Sequence, residues 1–224
     1  MVAMRCVILI ILFFSTAASV QAQYTNLLAN RSFEHWTKQN GQPVDGGWTI
    51  GDDGTLHLQG RGGNLLTVED YGDFDLWFEY RISEKGNNGI KYRVKQYGNS
   101  WLGLEYQVQD DAAFPRMADK HRTAALYDIF VPSSPVFTRE YKPEGEWNVG
   151  HITVQNNRIR HWMNGHLIID ECAGSPRWKD AVANSKFRKH DSFGENRVGK
   201  IMLTDHNSEV WYRNVFIRRL DNCR

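Results

Sequence analysis

Residues Gly103 to Asp111 read Gly-Leu-Glu-Tyr-Gln-Val-Gln-Asp-Asp, with an acid or amide group at every second position from Glu105 to Gln109. Side chains of a strand alternate between two faces. Leu104, Tyr106 and Val108 therefore share one face, and Glu105, Gln107 and Gln109 share the other. An ordinary solvated face favours Lys, Thr and Ser. A carboxylate and two amides in a row, closed by Asp110 and Asp111, suit sugar hydroxyls or a hard metal ion. The alternative is a plain exposed sheet face.

Further segments carry groups of complementary chemistry. Gly86-Asn87-Asn88-Gly89 leads into Ile90-Lys91-Tyr92-Arg93-Val94, where Lys91 and Arg93 point away from the apolar side. If that face also carries Glu105, a cation lies within reach of a carboxylate; otherwise Lys91 is a surface lysine. His121 follows Asp119 at a loop-to-strand junction and is either a ligand or a structural histidine. Asp205 and His206 sit in the polar turn Leu203-Thr204-Asp205-His206-Asn207-Ser208. Such a pair can orient one another, carry a proton or bind a divalent cation. In the plainer alternative, Asp205 bonds the backbone of its own turn. With 8 Trp and 9 Tyr, several aromatics fall opposite the aliphatic strand face, Trp77 and Trp162 among them. Sugar rings stack on such walls, although core packing accounts for many aromatics equally well.

Several signatures are missing. The chain has no G-x-S-x-G, H-E-x-x-H, phosphate loop, C-x-x-C pair or dinucleotide fingerprint. Nor does it contain the E-x-D-x-E strand of laminarinase-type glycosidases. The nearest match, Glu105-Tyr106-Gln107-Val108-Gln109, keeps only the first carboxylate. The usual acid and nucleophile pair is then lost.

The elements that must position these groups are strands. Alternating runs are expected over 48–50, 55–59, 73–82, 89–95, 103–109, 124–129, 147–155, 158–163, 166–169, 200–204 and 209–218. Asp52-Asp53-Gly54, Asn156-Asn157 and Asn164-Gly165 supply turns between them. Many short strands with almost no helical periodicity predict an all-β antiparallel β-sandwich or jelly roll. One short helix is expected near 176–186, capped by Ser175 with Pro176 in its first turn. It lies in a long connection, Glu171 to Gly199, of the kind that serves as a lid or binding loop. Glu105 and Lys91 are expected on one concave face, with Leu104, Tyr106 and Ile90 in the core.

Residues 1–22 read as a secretory signal, with Arg5 at the start, an apolar run from Val7 to Phe14 and the site Val20-Gln21-Ala22. Cleavage is expected after Ala22, leaving residues 23–224 as one domain in a secreted or periplasmic setting. The formal charge of +1 includes Arg5 and no acid from the signal, so the mature chain is neutral. A neutral chain has no broad field to gather nucleic acid or an anionic membrane, and no other stretch is long and apolar enough to insert into one. Cys172 and Cys223 remain, and an oxidising compartment would permit a disulfide between them.

The chain resembles the 3-keto-disaccharide hydrolase family, a former domain of unknown function with a concanavalin A-like sandwich. The resemblance runs from about Leu27 to Leu220. It rests on Gly63-Asn64-Leu65-Leu66-Thr67, Tyr71-Gly72-Asp73-Phe74, Asn88-Gly89-Ile90-Lys91-Tyr92 and Glu105-Tyr106-Gln107 with Asp110-Asp111. It continues through Ala125-Leu126-Tyr127-Asp128, Gly145-Glu146-Trp147-Asn148, His161-Trp162-Met163-Asn164-Gly165, Leu203-Thr204-Asp205-His206 and Tyr212-Arg213-Asn214. It implies cleavage of glycosides oxidised to a ketone at sugar carbon 3, with a divalent metal; carboxylate oxygen plus imidazole ligands would suit Mn, Zn or Co more than Ca. The ketone acidifies the hydrogen at carbon 2, and the aglycone leaves carbon 1 by β-elimination before water adds back. That route needs a base, an electrophile and an acid rather than two carboxylates.

On that chemistry, Glu105 and His121 are the metal-ligand candidates, with His206 a third. Lys91 would stabilise the oxyanion, and Asp205 would orient His206 or serve as base. Gln107, Trp162 and Arg213 are candidates for binding the carbohydrate substrate. Two other functions stay open: a non-catalytic, lectin-like carbohydrate-binding module, and an ordinary glycoside hydrolase of the same fold.

Overall fold

A computed structural model describes residues 23–133 and 141–220. The expected signal falls outside them, as does Cys223; Cys172 ends a strand and is exposed. Among the described residues, thirteen strands form two antiparallel sheets. They are β1 (Thr25–Asn26), β2 (Trp36–Lys38), β3 (Trp48–Ile50), β4 (Leu56–Leu58), β5 (Leu65–Thr67), β6 (Phe74–Ile82), β7 (Asn87–Tyr97), β8 (Ser100–Gln109), β9 (Asn148–Gln155), β10 (Arg158–Met163), β11 (His166–Cys172), β12 (Lys200–Leu203) and β13 (Val210–Arg219). The larger sheet runs β11-β10-β9-β6-β13-β4-β3, with β1 on the far half of the β13 edge that β4 leaves open. The smaller sheet runs β2-β5-β12-β7-β8.

Alternation sorts residues into the layers. Phe74, Leu76, Phe78, Tyr80 and Ile82 of β6 face Ile90 and Tyr92 of β7 and Leu104, Tyr106 and Val108 of β8, all buried in one core. Phe78 meets Tyr106 edge-on, with ring centroids 5.2 Å apart, a favoured aromatic geometry. Burying each such ring contributes roughly 1.5–3 kcal/mol, which fixes register, because a one-residue slip would send the whole set to the other face. One polar pair is enclosed. His161 donates from Nδ1 to the Ala124 carbonyl at 3.0 Å and accepts at Nε2 from the Tyr92 hydroxyl at 2.8 Å. Burial holds this imidazole neutral, its pKa brought down to about 4.

The helix, α1, spans Pro176–Ala183. The Ser175 hydroxyl accepts from the Trp178 amide at 3.1 Å, and Trp178 is fully buried against the core. The helix ends at Ala183, three residues short of the expected end, and the chain turns back through the Ser185 hydroxyl, which donates to the Val182 carbonyl.

Ten of the expected strands are present; the eleventh, over 124–129, is not. Ala124 and Asp128 both take positive φ, 62° each, which breaks a regular extended run at both ends of this short segment. The segment is a loop stitched along the free edge of β8. Ala124 donates to the Gln107 carbonyl, Gln107 to the Ala125 carbonyl and Tyr127 to the Glu105 carbonyl, at 2.8, 3.3 and 2.9 Å.

Candidate active site

Strand register draws one row across the outer face of the smaller sheet. Met202 is the Cα partner of both Leu66 and Lys91, and Lys91 is the partner of Glu105. Tyr127 continues the row through its bond to the Glu105 backbone. The row is apolar at one end, where Leu66, Met202 and Val94 pack under Trp101, and charged at the other.

Glu105 is the most unusual member. Its side chain is 4% exposed, yet among the described residues nothing hydrogen-bonds its carboxylate, and its one ion pair is to Lys91 Nζ at 3.7 Å. That is too long for a hydrogen bond, so the cation steadies the carboxylate without consuming its lone pairs. The side chain can lie in this position because residue 89 is glycine. A Cβ there would stand 2.9 Å from both Cγ and Cδ of Glu105 and collide with Oε1.

The turn bearing His206 is held above this glycine. Thr204 donates to the Gly89 carbonyl from its amide at 3.0 Å and from its hydroxyl at 3.2 Å. Buried Asn88 donates to the Thr204 carbonyl at 2.6 Å and accepts from the Tyr212 hydroxyl, which reaches across from the other sheet. Asp205 makes the next joint. It accepts from the Gly62 and Gly63 amides at 2.8 and 2.7 Å with one oxygen and from the Asn207 amide at 2.7 Å with the other. Both carboxylate oxygens are thus engaged by backbone amides, and neither is paired with His206. The His206 ring is solvent-accessible on one side and crowded by protein on the other. That crowding lowers its pKa, and the cations Lys91 and Lys186 lower it further, against the pull of Glu105 and Asp205.

The far wall comes from the long connection. Asp128 is its anchor: one oxygen takes Lys120 Nζ and His121 Nε2, both at 2.7 Å, and the other takes the Lys186 amide at 2.6 Å. Lys186 Nζ then lies 4.1 Å from the centroid of the Tyr127 ring, and its pKa is lowered, first by burial and then by Lys91. Glu105 acts electrostatically on Lys186, His206 and Tyr127 alike, so these groups share one neighbourhood.

Of the expected residues, the structure thus gathers Lys91, Glu105 and His206, with Gln107 one pleat further along the same face of β8. His121 stands at the rim, its Nε2 committed to Asp128 and its ring stacked on Tyr127. Trp162 and Arg213 are elsewhere, on the outer face of the larger sheet. Trp162 alternates with inward-facing His161 and Met163, and stacks on His151 at 4.3 Å, which stacks on Trp77 at 3.8 Å. Arg213 alternates with inward-facing Tyr212 and is held by Glu79 at 2.7 Å over the Trp147 ring. Both therefore lie across the sandwich from Glu105. Lys186 had no sequence signal beyond its place in a long connection.

A metal held by the protein needs several converging donors. Among the described residues, no three His, Cys, Asp or Glu side chains form such a group. With His121 turned to Asp128 and Asp205 turned to backbone, Glu105 and His206 are the two donors left on this face. This set does not fit a metal held by the side chains alone.

Comparison with known proteins agrees with the architecture. Residues 23–218 match the family described as 3-keto-alpha-glucoside-1,2-lyase-like domains. A Bacteroides thetaiotaomicron protein named 3-keto-disaccharide hydrolase is 28% identical, over 88% of this chain and 79% of its own length. A Parabacteroides distasonis crystal structure, described as a glycosyl hydrolase, superposes with a TM-score of 0.78 at 28% identity, covering 88% of this chain and 94% of that one. The Bacillus licheniformis β-glucanase shares the fold alone, with a TM-score of 0.53 at 11% identity over 91% of this chain and all of that one.

Proposed function

Since the chain belongs to the 3-keto-alpha-glucoside-1,2-lyase-like family, we propose that it is a secreted enzyme that cleaves glycosides already oxidised to a ketone at carbon 3. The observation that carries this reading is Glu105, a carboxylate paired only loosely with Lys91 at 3.7 Å and within electrostatic reach of Lys186 and His206. A carboxylate left free to accept beside cations suits a substrate hydroxyl.

The residues supply the chemistry without a second catalytic carboxylate. Neutral His206 takes the proton from carbon 2. Lys91 and Lys186 hold the negative charge that develops on the carbon 3 oxygen. Glu105 keeps Lys91 in place and accepts a hydroxyl of the sugar. The electron pair left at carbon 2 then expels the carbon 1 oxygen, which departs with a proton from the His206 imidazolium or the Lys186 ammonium. Water adds across the resulting double bond and restores the ring carbon. Positive charge for the enolate comes from the lysines, so no step is routed through a metal ion.

The test is substrate oxidation state and exchange at carbon 2. The protein should cleave a 3-keto-glycoside and leave its parent glycoside intact, and heavy water should place deuterium at carbon 2. Rapid cleavage of the unoxidised glycoside without exchange would show that the reaction is a different one. Secretion is read separately, from N-terminal sequencing of exported protein, which should begin at Gln23.

A further inference from the structure

An open cleft of about 920 Å³ adjoins the apolar end of the row. Trp101 forms one wall, and the amides of Gln39, Asn40, Gln42 and Asn64 line the cleft together with the ion pair of Lys38 and Asp45. Lys38 is committed to the Gly62 carbonyl and to Asp45 at 3.3 Å. The cleft therefore offers an aromatic face and neutral amides, with its one lysine already paired. That is chemistry for an uncharged polyol, in contrast to the charged groups around Glu105.

Two connections tie the cleft to those groups. Trp101 packs on Leu66, Val94 and Met202, and Leu66, Met202, Lys91 and Glu105 lie in one register row. Adjacent strands are about 4.8 Å apart, so the row spans about 14 Å from Leu66 to Glu105, longer than a single sugar ring. The second connection is Asp205. It clamps the Gly62 and Gly63 amides and donates its own amide to Asn64 Oδ1 at 2.9 Å. One residue before His206 thus holds the cleft wall.

We propose that this cleft is the subsite for the sugar that leaves, with Trp101 as its stacking platform and the amides as hydroxyl partners. The inference rests on the activity proposed above. It places the oxidised ring at Glu105 and the neighbouring ring at Trp101.

The experiment compares a 3-keto-glucosyl-glucose disaccharide with methyl 3-keto-glucoside. Trp101→Ala should lower kcat/KM for the disaccharide about tenfold more than for the methyl glycoside, and Trp101→Phe should restore most of the difference. An equal loss on both substrates would overturn the proposal. Saturation-transfer NMR with the unoxidised disaccharide separates the cleft from the reaction. Both rings should receive saturation from the wild-type protein, and the second ring should lose it in Trp101→Ala. Absence of transfer to that ring in the wild type would reject the cleft even if the ketosugar is cleaved. Failure to cleave either ketosugar would reject the activity while the NMR result still judges the cleft.

Discussion

Lys91 and Glu105 are register partners on adjacent strands, and their charged ends stand 3.7 Å apart with side chains only 15% and 4% exposed. The pair is shielded enough for its charges to matter and loose enough to remain available. Removing one member of a shielded pair strands the other, so shape-preserving changes are the informative ones. Glu105→Gln and Lys91→Met should each lower kcat on a 3-keto-glycoside by about 100–1,000-fold. The double variant should be little worse than the poorer single, because groups that act as a unit are not additive. Turnover and melting temperature of the three variants check this.

The pH profile should be bell-shaped. His206 must be neutral to act as base, and its pKa lies below the ordinary 6.5, so kcat/KM should fall as pH drops through that lower value. Lys186 must be charged, and its pKa lies below the ordinary 10.5, so activity should fall again as pH rises through it. Lys186→Arg should keep the charge and remove the alkaline limb. His206→Gln should cost about 100–10,000-fold and remove the acid limb from what activity remains.

Gly89→Ala should disable the site from underneath. The added methyl occupies the space over which Glu105 folds, so the carboxylate must rotate away. Activity should fall by about 100-fold, while overpacking costs stability by about 1–3 kcal/mol. Parallel rate and melting measurements separate the two effects.

Asp111 and His161 should set opposing pH dependences on stability. Burial raises the Asp111 carboxyl to about 6, so its contribution is present below pH 3.8 and is lost as pH rises through 6. His161, lowered to about 4, contributes above pH 6.5 and loses that contribution as pH falls through 4. Each gap is worth about 3 kcal/mol, so the two nearly cancel in the wild type between pH 4 and 6. Asp111→Asn keeps an acceptor for the Thr123 amide and removes one side of the balance. Its melting temperature should fall steeply below pH 6.5 and exceed the wild type's near pH 7.

Period-two alternation made the long strands legible, and with them the shared face of Lys91, Glu105 and Gln107. It failed where the signal is tertiary. Strands β1, β2 and β5 have two or three residues each, too few for a period. The 124–129 segment alternates like a strand, but its positive φ values depend on the Asp128 hub and the His161 bond. Asp205 looked like a partner for its neighbour His206; one oxygen instead closes its own turn at Asn207, and the other takes amides more than 140 residues away in sequence. Trp162 and Arg213 alternate correctly, but alternation cannot say which of two outer faces a strand presents. Lys186 reaches the site through its backbone bond to Asp128, which leaves no trace in local spacing.

The stacked rings Trp77, His151 and Trp162 make the two sides of the molecule unlike. They cover one another's faces, and Arg81, lying 4.2 Å from the Trp211 ring centroid, does the same further along. The faces they share are taken, and the Lys91–Glu105 row opens on the opposite side. The side of the stacked rings is therefore the one to hold the protein by. A surface linkage placed at the Asn164-Gly165 hairpin, next to exposed Leu167, would immobilise the protein on a solid support with the Lys91–Glu105 row turned toward the flow.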